Sequence, residues 1–202
     1  MRNHIHVTTK MSGKMLNMTS INTSPINNPY CQAMAKVENS VCGKCYSTTM
    51  MKRNKTADLC FQRNGELMNE RLIPMAELPI VNAHTVRFSA HGELLGAMHL
   101  ANLFGICNRN PRTNFTLWTK RKDLVNKVIR DFGKPKNLIL IFSSDILNKQ
   151  EKLPRHFDKV FTVYEKDKVE KVNINCGAKK CYECMTCYDP ENKEVYINEL
   201  KH

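Results

Sequence analysis

The sequence contains no long apolar run. No stretch of the 202-residue chain approaches the roughly 18 apolar residues of a membrane span, and the mean hydropathy is −0.46. The first ten residues lack the apolar segment of a secretory signal peptide. Internal repeats, low-complexity tracts and long Gly/Ser linkers are also missing. These absences favour a cytoplasmic protein with no membrane association, built as one domain with at most a small appendix.

Acidic residues are scarce relative to basic ones. The chain has 31 Lys and Arg against 19 Asp and Glu, which gives a net charge of +12 and an isoelectric point near 9.3. This excess is compatible with binding to nucleic acid, either DNA or tRNA. No recognised DNA- or RNA-binding motif accompanies it, so solvated basic faces and counter-charges for anionic metal centres stay open as alternatives. With 42% hydrophobic residues, the chain can still bury a core.

Strand and helix patterns alternate along the centre of the chain. The predicted strands cover residues 4–8, 85–89, 114–118, 137–142, 158–164 and 194–197, and the predicted helices cover 42–71, 94–108 and 122–132. Residues 11–30 are predicted to form a loop. This alternation predicts an α/β fold with a parallel sheet. Because the strands are too few for an eight-stranded barrel, we expect a partial or compressed parallel β/α barrel, or an open sheet, over residues 1–172. Residues 173–202 are expected to form a Cys-rich metal-binding segment packed on it.

Nine cysteines are many for a chain without a secretory signal, and seven of them fall into two groups. The C-terminal group is Cys176, Cys181, Cys184 and Cys187, and the N-terminal group is Cys31, Cys42 and Cys45. In a reducing compartment such groups indicate metal ligands before disulfides. A gap of two residues lets successive thiolates converge on one centre, and its tight turn directs backbone N–H groups toward the sulfurs. We therefore expect a metal at the C-terminal group, and a weaker case holds for the N-terminal one.

The ligand set favours iron and sulfur over zinc. It contains only cysteine, no histidine lies nearby, and successive two-residue gaps resemble a ferredoxin run more than two separated zinc knuckles. One or two [4Fe–4S] clusters are expected, and spacing does not decide the number; zinc is the alternative. Cys60 and Cys107 lie within helical patterns and are expected to be buried core residues.

A second set of polar residues stands where predicted strands end. His91, Gly92 and Glu93 follow the strand at 85–89, and Thr119 and Lys120 follow the next one. Ligand sites of parallel sheets lie at the carboxyl ends of the strands. A glycine there admits close approach to the backbone, and a carboxylate can bind an ammonium group. A turn, a helix cap and solvated cations are the simpler alternative, but as a set these residues favour a site for a charged ligand.

Nearly the whole chain resembles a family of small phage proteins known as gene product 88. The resemblance is carried by motifs at residues 20–25, 61–67, 87–94 and 117–121 and by both cysteine groups, with the last running from Cys176 to Tyr188. It implies a phage-encoded protein that works in the host cytoplasm, and it implies little about the chemistry.

A more distant similarity links the chain to radical S-adenosylmethionine enzymes, which are partial or full β/α barrels. This resemblance implies that Cys31, Cys42 and Cys45 hold a [4Fe–4S] cluster with one iron open to S-adenosylmethionine. Residues 91–93 would match the Gly-Gly-Glu motif that receives the ammonium group of that ligand, and the C-terminal cysteines would hold an auxiliary cluster. The gap from Cys31 to Cys42 is longer than in those enzymes, and His91 replaces the first glycine, so activity stays open.

Two hypotheses follow from these patterns. The first is an iron–sulfur enzyme similar to the radical S-adenosylmethionine class, acting on nucleic acid or a nucleotide. The second is a non-enzymatic iron–sulfur or zinc protein that binds nucleic acid or a host protein. The reaction, the catalytic residues and the oligomeric state are not predicted.

Overall fold

A computed structural model describes residues 4–178 and 180–201 as an α/β structure built on one six-stranded sheet. All five strand pairings are parallel, and the strands follow one another across the sheet in chain order. The strands are β1 (Thr19–Ile21), β2 (Thr85–Phe88), β3 (Asn114–Thr119), β4 (Leu138–Ser143), β5 (Lys159–Tyr164) and β6 (Tyr196–Leu200). An α/β fold with a parallel sheet was predicted from the alternation of patterns and is confirmed.

Helices fill the first three connections between strands. They are α1 (Pro29–Met34), α2 (Tyr46–Arg53) and α3 (Lys55–Glu70) after β1, α4 (Ala97–Arg109) after β2, and α5 (Lys122–Phe132) after β3; a short α6 (Cys181–Cys184) precedes β6. No helix in the described ranges is long and apolar enough to cross a membrane.

The main core lies between one face of the sheet and helices α3, α4 and α5. Sheet residues such as Phe88, Phe115 and Leu140 meet helix residues such as Leu103 and Val125, and all five are almost fully buried. Parallel strands buried by crossover helices are expected to be apolar over their length, and the segment Leu138–Ser143 has this composition. Helix α5 turns its apolar positions 124, 125 and 128 inward, in keeping with its 3.6-residue period.

The opposite face of the sheet is covered by two segments distant in sequence. Trp118 and Ile141 of the sheet pack with Met15 and Met18 from the N-terminal segment and with Tyr188 from the C-terminal one. Residues 173–201 also supply strand β6, whose outer edge is capped by a hydrogen bond from the Cys176 N–H to the Asn198 carbonyl (3.0 Å). The cysteine-rich tail therefore contributes a strand to the sheet and side chains to the hydrophobic core on the second face of the sheet.

Two local predictions near the N-terminus differ from the structure. The segment at residues 4–8 is not a strand; Thr8 forms only an isolated antiparallel bridge to Ser20. The first strand of the sheet is β1 instead, inside the segment predicted to be a loop. Its three residues are too few to produce a hydrophobic period. Two of them are the polar residues Thr and Ser, which can be buried because they form hydrogen bonds within the sheet.

Candidate functional site

The carboxyl ends of strands β1 to β4 bring together the predicted strand-end residues. Parallel pairing places these ends at one edge of the sheet, so the loops after Ile21, Phe88, Thr119 and Ser143 are neighbours. Glu93, Thr119 and Lys120, which are distant from Cys31 in sequence, therefore lie at the same edge as the N-terminal cysteine group.

The Glu93 carboxylate accepts several hydrogen bonds at this edge of the sheet. Its Oε1 accepts hydrogen bonds from Thr119 Oγ1 (2.6 Å) and the Leu94 N–H (2.8 Å), and its Oε2 accepts one from the Lys120 N–H (2.9 Å). The side chain is buried. Because an ionised carboxylate offers about four acceptor positions, these bonds leave one for a further donor. Glu93 therefore fastens β2 to β3 and keeps a single free acceptor.

Gly92 sits where the chain passes closest to the loop after β1. Its φ of +74° is in the left-handed region, and a Cβ built on it would lie 2.4 Å from the Thr23 carbonyl oxygen. Thr23 also bonds the same turn, because its N–H donates to the His91 carbonyl (3.3 Å). Ser89, with φ of +54°, is a second residue held in this region. The turn at 89–93 is thus tightly fixed.

The His91 ring points toward helices α2 and α3. Its Nδ1 lies 2.8 Å from Ser47 Oγ, and its ring stacks on Phe61 with the centroids 5.6 Å apart. Burial, together with the positive charge of Arg87, lowers the pKa of His91 to about 4. At neutral pH it is an uncharged side chain that packs the turn against the helices.

The N-terminal cysteine group is anchored to the same edge by backbone hydrogen bonds. Cys31 lies in the first turn of α1, where its N–H donates to the capping Asn28 Oδ1 (3.2 Å). The loop that carries Cys42 is tied to the segment after β4 by a bond from the Val41 N–H to the Asp145 carbonyl (3.0 Å). Cys45 ends this loop as the N-terminal capping residue of α2.

The electrostatics of this group depend on its neighbours. Burial raises the pKa of Cys31, and the charges of Glu93, Cys42 and Cys45 raise it further, while Lys120 opposes them. Burial also raises the pKa of Cys42, and Lys120 again opposes it. The three thiols, Glu93 and Lys120 therefore form one interacting set. Without a bound cation, Cys31 and Cys42 are neutral thiols at neutral pH.

Lys120 is the cation whose charge acts on both Cys31 and Cys42. Its Nζ donates to Ser143 Oγ (3.0 Å), across the ends of β3 and β4. Arg121 next to it lies over the Tyr30 ring, with 5.0 Å from Cζ to the centroid, and forms an ion pair with Asp123. Of the two cations after β3, only Lys120 lacks a carboxylate partner within the described chain, and it is placed to meet an anion.

The C-terminal cysteines surround one small cavity on the other face of the sheet. All four side chains line a space of about 30 Å³, together with Lys14 and Tyr188; this exceeds the roughly 10–15 Å³ that one water molecule needs. Lys14 Nζ lies 3.3 Å from Cys176 Sγ and 2.7 Å from Glu199 Oε1. The N-terminal segment and the tail are thus joined at the rim of the cavity.

Burial and nearby negative charges keep the Cys176 and Cys187 thiols protonated. Burial, then the charges of Cys176, Cys181 and Cys184, raises the pKa of Cys187 to about 12, and Arg87 opposes the shift. Burial and Glu199 raise the pKa of Cys176 to about 11, against the effect of Lys14. Four anionic thiolates would be stable here only with a cation among them.

Arg87 is a cation of the sheet face with an incomplete set of partners. Its guanidinium Cζ lies 3.9 Å from the centre of the Trp118 ring, and Nη1 lies 3.5 Å from Met15 Sδ. Its Nε is buried without a hydrogen-bond partner in the described part of the chain. Such an orphaned donor beside Tyr188 and the tail cysteines fits a neighbouring centre of net negative charge.

Sequence reasoning missed Arg87 and Lys14. Arg87 is one charged residue in an otherwise uncharged strand, which was the available signal. Lys14 gave none, because its contact with Cys176 spans 162 residues of sequence. Cys107 is buried in the main core and Cys60 is half-buried in α3, so burial is complete only for Cys107.

No three His, Cys, Asp or Glu side chains of residues 4–178 and 180–201 are arranged to hold one metal ion. The nine cysteines are all free thiols in the structure. The tail cysteines thus line one cavity, and the charges of Glu93 and Lys120 act on the Cys31 and Cys42 thiols.

Comparison with known proteins identifies the family of this chain. No curated protein and no solved structure matches the chain. The model of the gene product 88 family matches residues 3–199, which is nearly the full length. The chain therefore belongs to the gene product 88 family of phage proteins.

Proposed function

We propose that this protein is an iron–sulfur protein with two centres on a partial β/α barrel. One centre is held by Cys31, Cys42 and Cys45 and leaves a position open for S-adenosylmethionine. The proposed reaction acts on nucleic acid or a nucleotide in the cytoplasm of the infected host, where thiols stay reduced. The observation that carries this proposal is that Glu93 and Lys120, at the carboxyl edge of a parallel sheet, act electrostatically on the Cys31 and Cys42 thiols.

The fold supports this assignment of the site. Parallel β/α sheets bind their ligands at the carboxyl edge, and the sequential strand order is the order of a β/α barrel. Three thiols leave one coordination position of a four-iron cluster without a protein ligand. When bound and reduced, the cluster supplies the electron that cleaves a carbon–sulfur bond of S-adenosylmethionine.

The residues of this chain orient the ligand. The free acceptor position of Glu93 suits an ammonium group, and the Lys120 ammonium suits a carboxylate. Thr119 and the Lys120 N–H hold the Glu93 carboxylate in place, so it is pre-positioned before a ligand arrives. The closely packed Gly92 and the buried His91 fix the turn that carries it.

The second centre is assigned to the tail. The four thiols surround a cavity, and Arg87 and Lys14 place two positive charges beside it, which suits an anionic cluster bound by thiolates. A cluster spreads its thiolate ligands over several irons and so holds them farther apart than a single zinc ion does. The described residues that line the cavity offer cysteine and no histidine, and this ligand set supports a cluster over zinc.

Anaerobic reconstitution tests the enzymatic proposal. Protein loaded with iron and sulfide, then reduced in the presence of S-adenosylmethionine, is expected to form 5′-deoxyadenosine. A variant with all three N-terminal cysteines changed to alanine is expected to form none and to keep the tail centre. The proposal fails if fully loaded wild-type protein cleaves no S-adenosylmethionine.

A second candidate function is a non-enzymatic metalloprotein that binds nucleic acid or a host protein. The contact of Lys14 with Cys176 favours it, because a metal in the tail would fasten both ends of the chain to the sheet. Removal of the metal by a chelator is then expected to lower the melting temperature strongly, and no S-adenosylmethionine would be cleaved. Zinc alone, or a fully ligated iron–sulfur centre that cleaves no S-adenosylmethionine, would identify this candidate.

A further inference from the structure

The outer surface of helices α2 and α3 carries a strong excess of positive charge. The exposed cations are Lys44, Lys52, Arg53, Lys55 and Arg63. Residues 43–65 contain one acidic residue, Asp58, and it is buried and accepts hydrogen bonds from Ser24 and Gln62. None of the ion pairs within the described ranges involves these five cations. Within residues 43–65 no exposed acidic side chain neutralises these cations, and the two exposed carboxylates of α3, Glu66 and Glu70, lie at its C-terminal end.

Apolar side chains stand exposed among these cations. Tyr46 is 60% exposed, Met50 42% and Leu59 62%. On α3, Lys55, Leu59 and Arg63 follow one another at intervals of four residues, so they form a single stripe along the helix. On α2, Tyr46, Met50 and Arg53 lie on one face for the same reason. Cations and apolar groups thus share one face on each of the two helices.

The Tyr46 ring lies at the end of this surface nearest to the candidate site. Its hydroxyl donates to the Ala90 carbonyl (2.8 Å), in the turn that precedes Glu93, and its neighbour Cys45 belongs to the N-terminal cysteine group. The hydroxyl is fixed while the ring stays accessible. This aromatic side chain connects the basic surface to the carboxyl edge of the sheet.

We infer that this α2–α3 surface binds single-stranded nucleic acid and leads it to the carboxyl edge. A polyanion with unpaired bases matches both features, because cations contact the phosphates and exposed aromatic or apolar groups contact the base faces. A duplex hides its base faces, so it leaves the apolar groups without a partner. The inference takes its substrate class from the proposed function, but it locates the binding on residues outside the metal ligands.

Fluorescence anisotropy with a labelled single-stranded oligonucleotide tests this inference. Matched variants each remove three positive charges: K52Q/R53Q/K55Q on the surface, and R112Q/K127Q/K136Q on exposed positions elsewhere. The surface variant is expected to weaken binding at least tenfold and to reduce the slope of log K against log salt by about 2, as the loss of three phosphate contacts predicts. The control variant is expected to bind within about twofold of wild type.

A variant of Tyr46 separates stacking from charge. Tyr46→Phe keeps the ring and is expected to bind as wild type, while Tyr46→Ala is expected to weaken binding by about fivefold or more. Equal losses of affinity in both triple variants would show that net charge alone explains binding and would overturn the inference. The same holds if the protein binds a duplex and heparin as tightly as the single strand. Iron content measured on the same samples keeps the two proposals apart, since binding without iron would reject the proposed function alone.

Discussion

The guanidinium of Arg87 lies 3.9 Å above the ring of Trp118, on the sheet face that carries the tail cysteines. The two residues sit on neighbouring strands, and Trp118 in turn contacts Tyr188, with the ring centroids 5.3 Å apart. Tyr188 lines the cavity of the tail thiols. Stacking holds the cation in a fixed position, and no acidic side chain of the described residues forms an ion pair with it, so its charge is available to an anionic centre.

Removal of the Arg87 charge is expected to weaken metal binding by the tail. Arg87→Gln should increase the dissociation constant of the tail centre by about tenfold or more, as the loss of a group that interacts with metal ligands does elsewhere. Arg87→Lys keeps the charge and should retain most of the affinity. Competition with a chelator measures both. Equal affinities of wild type and Arg87→Gln would show that Arg87 has only a packing role.

The tail cysteines are expected to be essential for one metal centre and Cys60 for none. Cys181→Ser together with Cys184→Ser should remove about half of the bound iron and sulfide, because two ligands of the tail centre are lost. Cys60→Ser, at a half-buried position of α3, should leave the iron content unchanged. Quantitative iron and sulfide assays check this prediction. Complete loss of metal from the double variant would mean that all seven cysteines serve one centre.

Gly92→Ala is expected to lower the free energy of unfolding by more than the cost of placing alanine at a positive φ. A Cβ at Gly133, with φ of +72°, meets no atom within 4 Å, whereas one at Gly92 lies 2.4 Å from the Thr23 carbonyl oxygen. Gly133, with φ of +72° and ψ of 166°, lies in a region that is nearly restricted to glycine, so Gly133→Ala should cost about 1–3 kcal/mol, and Gly92→Ala clearly more. Urea unfolding of both variants measures the difference. Equal losses would contradict the close approach of the loops after β1 and β2.

Acid is expected to destabilise the fold through two buried histidines. Burial lowers the pKa of His99 to about 4, and burial with the Arg87 charge lowers that of His91 to about 4. The unfolded chain takes up protons near pH 6.5, so this stability is present above that pH and is lost as pH falls toward 4. Each residue accounts for at most about 3 kcal/mol.

The variant His99→Gln separates this effect from acid loss of metal. Glutamine stays neutral throughout and can accept the hydrogen bond that His99 Nδ1 takes from the Leu95 N–H (3.2 Å). The slope of unfolding free energy against pH, between about pH 7 and pH 4.5, should fall by about half. An unchanged slope would show that His99 titrates normally in the folded protein.

Periodic apolar patterns predicted most of the sheet and helices, because burial between helices and sheet imposes them. Helix α5 begins and ends at the predicted residues 122 and 132, and β4 lies within one residue of its predicted bounds. Strand β1 was missed because three residues, Thr19, Ser20 and Ile21, carry no period. Their strand conformation depends on pairing with β2, which local sequence does not reveal.

The candidate site was predictable in part. We expected ligand-binding residues at the carboxyl ends of parallel strands, and Glu93, Thr119 and Lys120 do lie together there, because these ends share one edge of the sheet. The hydrogen bonds that occupy most of the Glu93 carboxylate, the inward turn of His91, and the charges of Arg87 and Lys14 beside the tail cysteines depend on tertiary contacts. Metal binding by either cysteine group stays a prediction.

The central claim is that the two cysteine groups hold two iron–sulfur centres. Iron and acid-labile sulfide, measured together with the visible absorption spectrum on protein purified without oxygen, test it most directly. We expect the purified protein to be brown and to contain about eight iron atoms and a similar amount of sulfide per chain, as two four-iron clusters require. Colourless protein that contains zinc, or no metal at all, would contradict it.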